Sequence, residues 1–476
     1  MKAYQKIGLF AGPLAFLLLM LVPGSGSLSI WGVRCLAIVA WVLIWWATEA
    51  VHYGIAAALP IILFPLTGIT KALKFNPNPQ FVSGTVLLVV SMLLISNSIV
   101  KWNLHKRIAL GICLLCGSKM SSVILGFVLG TGIASMFMSN TTATTMMIPI
   151  ALALLESLKL REGSQFKKAL VMAIPFAASC GGIGTMLGGA TNLTGIGIIG
   201  QMTGITFSFN DWLKVGLPFV IILLPVLALF LIFAFDVRKD NGTVDVSVVR
   251  KEYENLGPMS KGEKMTATLF LAVVAAMITR VWWGKYIPVI NDTMIAVIGI
   301  MLFMVTPVDS KKGEMLLDAK TAFANFPAPV ALLVGSSLAL GNAMAVCGVT
   351  DWIATLLSVF NGIPSMILVI IMATLAAIVS EFCTNQVVVA AFLPIMYSFS
   401  NAMNMNPLIL MVTVTVSASF AFALPSGTPP TAIAMSTGEI ELVEMIKYGF
   451  LFKLIAILLF IPVFYFITLG LFKLGA

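Results

Sequence analysis

The stretch "MSNTTATTMMIPI", Met138 to Ile150, sets a serine, an asparagine and four threonines side by side in a chain that is otherwise close to oil. Of its 476 residues, 59% are hydrophobic and 10% charged, and the mean hydropathy is +1.05. That is the composition of an integral membrane protein. Apolar runs long enough to span about 30 Å of hydrocarbon recur from end to end and leave no room for a soluble catalytic domain.

Working outward from Met138, the spacing predicts crossings near 7–23, 30–48, 54–69, 81–100, 169–206, 213–235, 265–281, 288–306, 328–347, 406–436 and 449–472. Two re-entrant hairpins are expected at 120–157 and 364–401. The first run follows Lys2 and Lys6 but lacks an A-x-A cleavage pattern, so it reads as a crossing, not a signal peptide. With the N-terminus cytoplasmic, the inside segments carry 20 Lys and Arg and the outside segments 7. This satisfies the positive-inside rule and explains the net charge of +9 without nucleic acid. The longest polar connection, Asp236 to Lys264, reads as a cytoplasmic loop.

The hydroxyl-rich stretch has a counterpart 245 residues on, "EFCTNQVVVAAFLPI" from Glu381 to Ile395. At that offset Asn97 meets Asn342, Ser135 meets Ser380, Asn140 meets Asn385, and Pro149-Ile150 meets Pro394-Ile395. A second match at an offset of 239 sets "GGIGTMLGGATN" (Gly181 to Asn192) against "FAFALPSGTPPT" (Phe420 to Thr431), Gly188 with Gly427. The helix from Phe81 then runs outward to inward and its partner from Ala328 the reverse, so the copies are inverted. The expected organisation is scaffold helices over 1–80, a first repeat over 81–235, the loop 236–264, linking helices over 265–325 and a second repeat over 326–476.

Inverted repeats with Gly/Pro-broken helices in matching places are the best sequence pointer to a secondary transporter. A broken backbone survives at membrane depth only inside protein or beside a water-filled cavity. At a hairpin tip, the following helix offers unpaired N–H groups to a carboxylate. The carbonyls ending the preceding arm suit a small cation, as do the oxygens of Ser135, Ser139 and Asn140. A single such island would read as glue between helices; two at corresponding positions point to a ligand.

With these residues in hand, the chain resembles the divalent anion/sodium symporter family, through "SNTTATTMMIPI", "EFCTNQVVVAAFLPI", "IWWATEA" (Ile44 to Ala50) and "LPSGTPPT" (Leu424 to Thr431). The resemblance implies an all-α homodimer of eleven spans and two hairpins per chain, moving di- and tricarboxylates or sulfate by an elevator motion. It implies substrate contacts at Ser139, Asn140 and Thr141, at Thr384, Asn385 and Gln386, and at Thr428 and Pro429. One sodium site maps to Ser135, Ser139, Asn140 and Gly188, a second to Ser380, Cys383, Asn385 and Gly427. Sodium is thus the implied coupling ion, with no tightly held cofactor.

Three departures stand out: Thr384-Asn385-Gln386 where the family has Ser-Asn-Thr, "GGATN" at Gly188 to Asn192 where it has two prolines, and Thr431 in place of Asn. They favour sodium-independent dicarboxylate exchange, with sodium-coupled di- or tricarboxylate or sulfate symport as the alternative and an anion channel as the next. An enzyme is disfavoured, since His52 and His105 form no catalytic or metal constellation with other residues. His105 reads as a solvated or interfacial face and His52 as interfacial. Glu381 reads as an anchor for the second hairpin, Trp45 and Trp46 as interfacial rings, and the six cysteines as buried small hydrophobes. No role is assigned to Glu49.

Overall fold

The computed structural model describes residues 3–24, 28–158, 164–205, 207–237, 244–309, 311, 313–324, 326–357, 363–425 and 427–471. The basic residues Lys159, Arg161, Arg238, Lys239 and Lys312, used in the topology argument, lie outside them.

Among the described residues the regular structure is helical, apart from a two-stranded ribbon, Pro307–Asp309 with Glu314–Met315. Among the described residues, seven helices are long and apolar enough to cross a membrane: Ala3–Met20, Ile30–Thr48, Asn78–Lys101, Phe209–Ala234, Lys261–Trp283, Ala328–Val346 and Leu442–Phe464. Tyr53–Leu66 and Asp292–Val305 are shorter apolar units. Two further crossings are interrupted, Gln165–Gly181 with Ala190–Thr203 and Pro407–Ser417 with Pro429–Ser436. Together these make the eleven units expected of a polytopic all-α protein. The unit expected at 54–69 is itself broken into Tyr53–Ala56 and Leu59–Leu66, with Pro60 just inside the second piece.

Two helical hairpins are present among the described residues. Met120–Ser135 turns back through Ser139 into Asn140–Ser157, and Ser365–Val379 turns back through Thr384 into Asn385–Ala402. Their N-caps have nearly the same backbone, φ −65° and ψ 143° at Ser139, φ −63° and ψ 142° at Thr384. Pro149 and Pro394 sit in matching places of the second arms.

The repeat reaches further than the motifs. Leu104–Leu115 and Val349–Leu357, again 245 residues apart, are amphipathic arms between a crossing helix and the base of each hairpin. Each begins after a left-handed residue, Asn103 at φ 56° and Gly348 at φ 75°. Asn and Gly are the residues that tolerate that region. Sequence reasoning missed both arms.

Four expectations need correction. The connection from Asp236 to Lys264 is not all loop, since Ser247–Glu254 is a helix whose Glu252 pairs with Lys106 at 2.8 Å. His105 is buried, Nδ1 lying 3.2 Å from the Ile99 carbonyl, because the arm folds back under its crossing helix. Trp46 is also core, its indole donating to Tyr53 O at 3.2 Å, while Trp45 is half-buried and donates to Leu9 O. Of the cysteines, Cys116 is half-exposed where the other five are buried.

Candidate functional site

Each interrupted helix lies against one hairpin tip. In the first half, a Cβ on Gly181 would fall 2.0 Å from the Gly132 carbonyl, so only glycines allow the crossing helix to touch the hairpin arm here. Gly188 approaches Gly182 as closely. In the second half, a Cβ on Gly427 would stand 2.9 Å from Ser380 O and about as close to Glu381. The unwound segments are thereby pressed onto the tips.

The consequence is a cavity of about 410 Å³ lined by both tips and both breaks. Ser139, Asn140 and Thr141 reach it from the first tip, Thr384, Asn385 and Gln386 from the second, and Gly427, Thr428 and Pro429 from the second break. Among the described residues, no charged side chain lines it.

Its positive character has another source. The helices Asn140–Ser157, Ala190–Thr203, Asn385–Ala402 and Pro429–Ser436 begin at the N-caps Ser139, Gly189, Thr384 and Thr428. All four N-caps line this one cavity. A helix N-terminus carries roughly half a positive charge, so four amount to about two.

Ser135, Gly188, Ser380 and Cys383 do not line the cavity but stand behind it. Ser135 is fully buried, and its Oγ lies 2.8 Å from both Asn140 Oδ1 and Ala178 O. Asn140 Oδ1 is in turn 3.0 Å from Ala178 O and 3.2 Å from Gly188 O. A hydroxyl has one proton, so most of these oxygen pairs have none between them. The reversed amide satisfies this ring, its nitrogen donating to Ser135 Oγ, Ala178 O and Gly188 O.

The second half is not a copy. Ser380 Oγ donates to Ala377 O at 3.0 Å instead of reaching Asn385, and Cys383 Sγ donates to Ala47 O at 3.7 Å. Asn385 Oδ1 and Thr384 Oγ1 are buried without a hydrogen-bond partner among the described residues. Both residues line the cavity. The first N-cap is closed instead, Ser139 Oγ accepting from Thr142 N at 3.2 Å.

Several lining residues were not found from the sequence. Tyr53, stacked on His52 at 4.5 Å, comes from the broken third unit. Ser96 and Asn97 come from the helix Gly84–Lys101, and Pro327 and Val330 from the start of its inverted partner. Asn97 alone carried a signal, as a member of the repeat. Glu49 is exposed, in a left-handed cap at the end of Ile30–Thr48. Cys113 donates to Gly126 O, a bond between the arm and the hairpin.

Residues 5–472 match the model of the sodium:sulfate symporter transmembrane region. The chain belongs to this family. Among sodium:sulfate symporter relatives, a "Sodium-dependent dicarboxylate transporter SdcS" of Staphylococcus saprophyticus is 32% identical, over 98% of this chain and 91% of the relative. The protein of that name from Staphylococcus aureus strain USA300 is 33% identical, over 98% and 92%. The fold is shared with the YdaH transporter of Alcanivorax borkumensis, whose crystal structure aligns with TM-score 0.58 at 12% identity over 86% of this chain and 89% of that one.

Proposed function

We propose that this symporter-family protein carries small dicarboxylates, of the succinate, malate, fumarate or 2-oxoglutarate class, across the cell membrane with sodium as coupling ion. The observation that carries the reading is the meeting of four helix N-termini in one cavity that, among the described residues, no charged side chain lines. A positive charge of about two, spread over two opposed tips, complements a dianion with a carboxylate at each end. A channel has no use for so deep and two-ended a cradle, whereas a carrier that must hold its solute does.

Substrate contacts are assigned to Ser139, Asn140, Thr141, Thr384, Asn385, Gln386, Thr428 and Pro429. A sodium site is assigned to Ser135, Asn140 and the carbonyl of Gly188, with Ser139 beside it; the convergence of the Ser135, Ala178 and Gly188 oxygens on the Asn140 amide and the sodium-dependent relatives support it. A second is assigned to Ser380, Cys383, Asn385 and Gly427, on the strength of the unpartnered Asn385 oxygen. These favour sodium-coupled uptake over the exchange mode that the sequence departures suggest.

The cavity extends to Val100, next to the end of its helix, and to Pro327, the cap of the inverted partner. Both ends belong to the side assigned as cytoplasmic, so the structure is read as inward-facing, with the N-terminus inside. The hairpins and interrupted helices form the moving part of an elevator in a homodimer.

The test is uptake of labelled succinate into proteoliposomes, with and without a sodium gradient and with and without internal dicarboxylate. Sodium-driven uptake into empty vesicles is expected, lost at least roughly tenfold in Asn140→Ala and in Asn385→Ala. Wild-type rates in both variants would refute the site; uptake that ignores sodium but needs internal dicarboxylate would restore exchange.

A further inference from the structure

The two halves hold their unwound segments by different chemistry. In the first, Ile183 N and Gly184 N close local turns onto Cys180 O and Gly181 O. Asn192 Nδ2 donates to Gly182 O at 2.7 Å and to Thr185 O at 2.8 Å, and Thr185 Oγ1 donates to Met136 O. Every group in that set is neutral.

In the second half, Thr431 takes the place of Asn192 and keeps one equivalent bond, Oγ1 to Leu424 O at 3.1 Å. The amides of Phe422, Ala423 and Leu424 turn instead to a carboxylate. Glu381 Oε1 accepts from Phe422 N and Ala423 N at 3.0 Å, and Oε2 from Ala423 N at 3.1 Å and Leu424 N at 2.8 Å. Glu381 is 0% exposed and is the repeat counterpart of Met136. It pairs with Lys453 of the last long helix, 3% exposed, whose Nζ also donates to Ala377 O at 2.9 Å. One ion pair thus fastens the second tip, the second break and the final crossing.

A buried ion pair is costly, and the first half does without one, so the fold itself does not require the charge. What charge adds is strength, because hydrogen bonds to a carboxylate are roughly twice as strong as neutral ones. We infer that Lys453 and Glu381 are positioning residues that keep the Asn385–Thr428 half of the site formed without a ligand, whereas the neutral first half is organised by the cation it binds.

This inference rests on the transport reading for its cation but not for its clasp, and the experiment separates them. Hydrogen exchange is measured on the full chain in lipid nanodiscs, with sodium and without. In the wild type, Phe420 to Leu424 is expected to be protected in both conditions, and Gly181 to Gly188 to gain protection only with sodium. In Lys453→Met the amides of Phe422 to Leu424 exchange roughly tenfold faster or more, while Gly181 to Gly188 is unchanged. Lys453→Arg restores protection. In uptake at equal amounts of folded protein, Lys453→Met raises the dicarboxylate KM roughly tenfold and Lys453→Arg does not.

Protection of Phe420 to Leu424 that depends on sodium in the wild type overturns the inference, with no variant needed. So does a Lys453→Met protein with that segment still protected. Should Lys453→Met not fold, Glu381→Gln, which keeps an acceptor but loses the charge, is read by the same loss of protection. If only the transport reading fails, uptake and the sodium response of Gly181 to Gly188 vanish while the Phe420 to Leu424 readout stands.

Discussion

Ser135 Oγ stands 2.8 Å from Asn140 Oδ1 and the same distance from the carbonyl of Ala178, a residue beyond the hairpin on the next helix. Two elements thereby share one buried oxygen. Replacing Ser135 by Ala removes a ligand from the proposed cation ring without touching the cavity wall. The sodium concentration giving half-maximal uptake should rise roughly tenfold, the loss of one contact to a charged group. The maximal rate at saturating sodium should stay near wild type. A sodium titration of succinate uptake checks this, and an unshifted curve would remove Ser135 from the site.

Gln386 carries a long amide into the cavity beside the unpartnered Asn385 oxygen. Its substitution by Thr gives that space back. Citrate should then compete with succinate more effectively, by roughly tenfold in inhibition constant, while succinate itself binds no better. Competition assays on the two proteins decide, and an unaltered citrate-to-succinate ratio would mean that Gln386 does not set the size limit.

Ser96 Oγ donates to Phe137 O at 2.8 Å, tying the helix Gly84–Lys101 to the first hairpin tip. In an elevator this bond must break at each stroke. Ser96→Ala should therefore raise the maximal rate, by roughly threefold, with little change in KM. A rise in KM without a change in rate would instead mark Ser96 as a substrate contact.

Asp318 lies outside the crossings and is held well below the usual carboxylate range by the Lys101 ammonium at 2.7 Å, with the Thr321 amide assisting. A depressed pKa stabilises the folded state fully above the ordinary carboxylate value of about 4, and the contribution fades as pH falls below it. The pair is partly exposed, so the gain is modest. Asp318→Asn should lower the melting temperature by the same few degrees throughout the neutral range, the gap closing only in strong acid. Thermal unfolding in detergent at several pH values measures it.

The sequence carried the crossings, both hairpins and the two tips because each rests on a local signal: apolar length, a polar island, a proline at a fixed distance. The polar island Ser139 to Thr142 falls at the turn between Met120–Ser135 and Asn140–Ser157. What it hid depends on contacts between distant segments. Tyr53 reaches the cavity only because Trp46 donates to its carbonyl and the third unit breaks there. Glu381 could be suspected as an anchor, but Lys453 was not singled out, because their pairing across 72 positions leaves no periodic trace. The amphipathic arms were missed for another reason, since short interfacial helices resemble loops when only hydrophobic length is scanned.

The left-handed corners at Asn103 and Gly348 bear on how far such a carrier can travel. Each hairpin is tethered to a crossing helix by an arm that can swivel only where the backbone permits it. The arm Leu104–Leu115 has 12 residues, or about 18 Å of helix, which in the proposed elevator would be the fixed radius of a crank. In the proposed elevator the reach of that crank, more than the depth of the bilayer, would cap the stroke, and stiffening either pivot would shorten it.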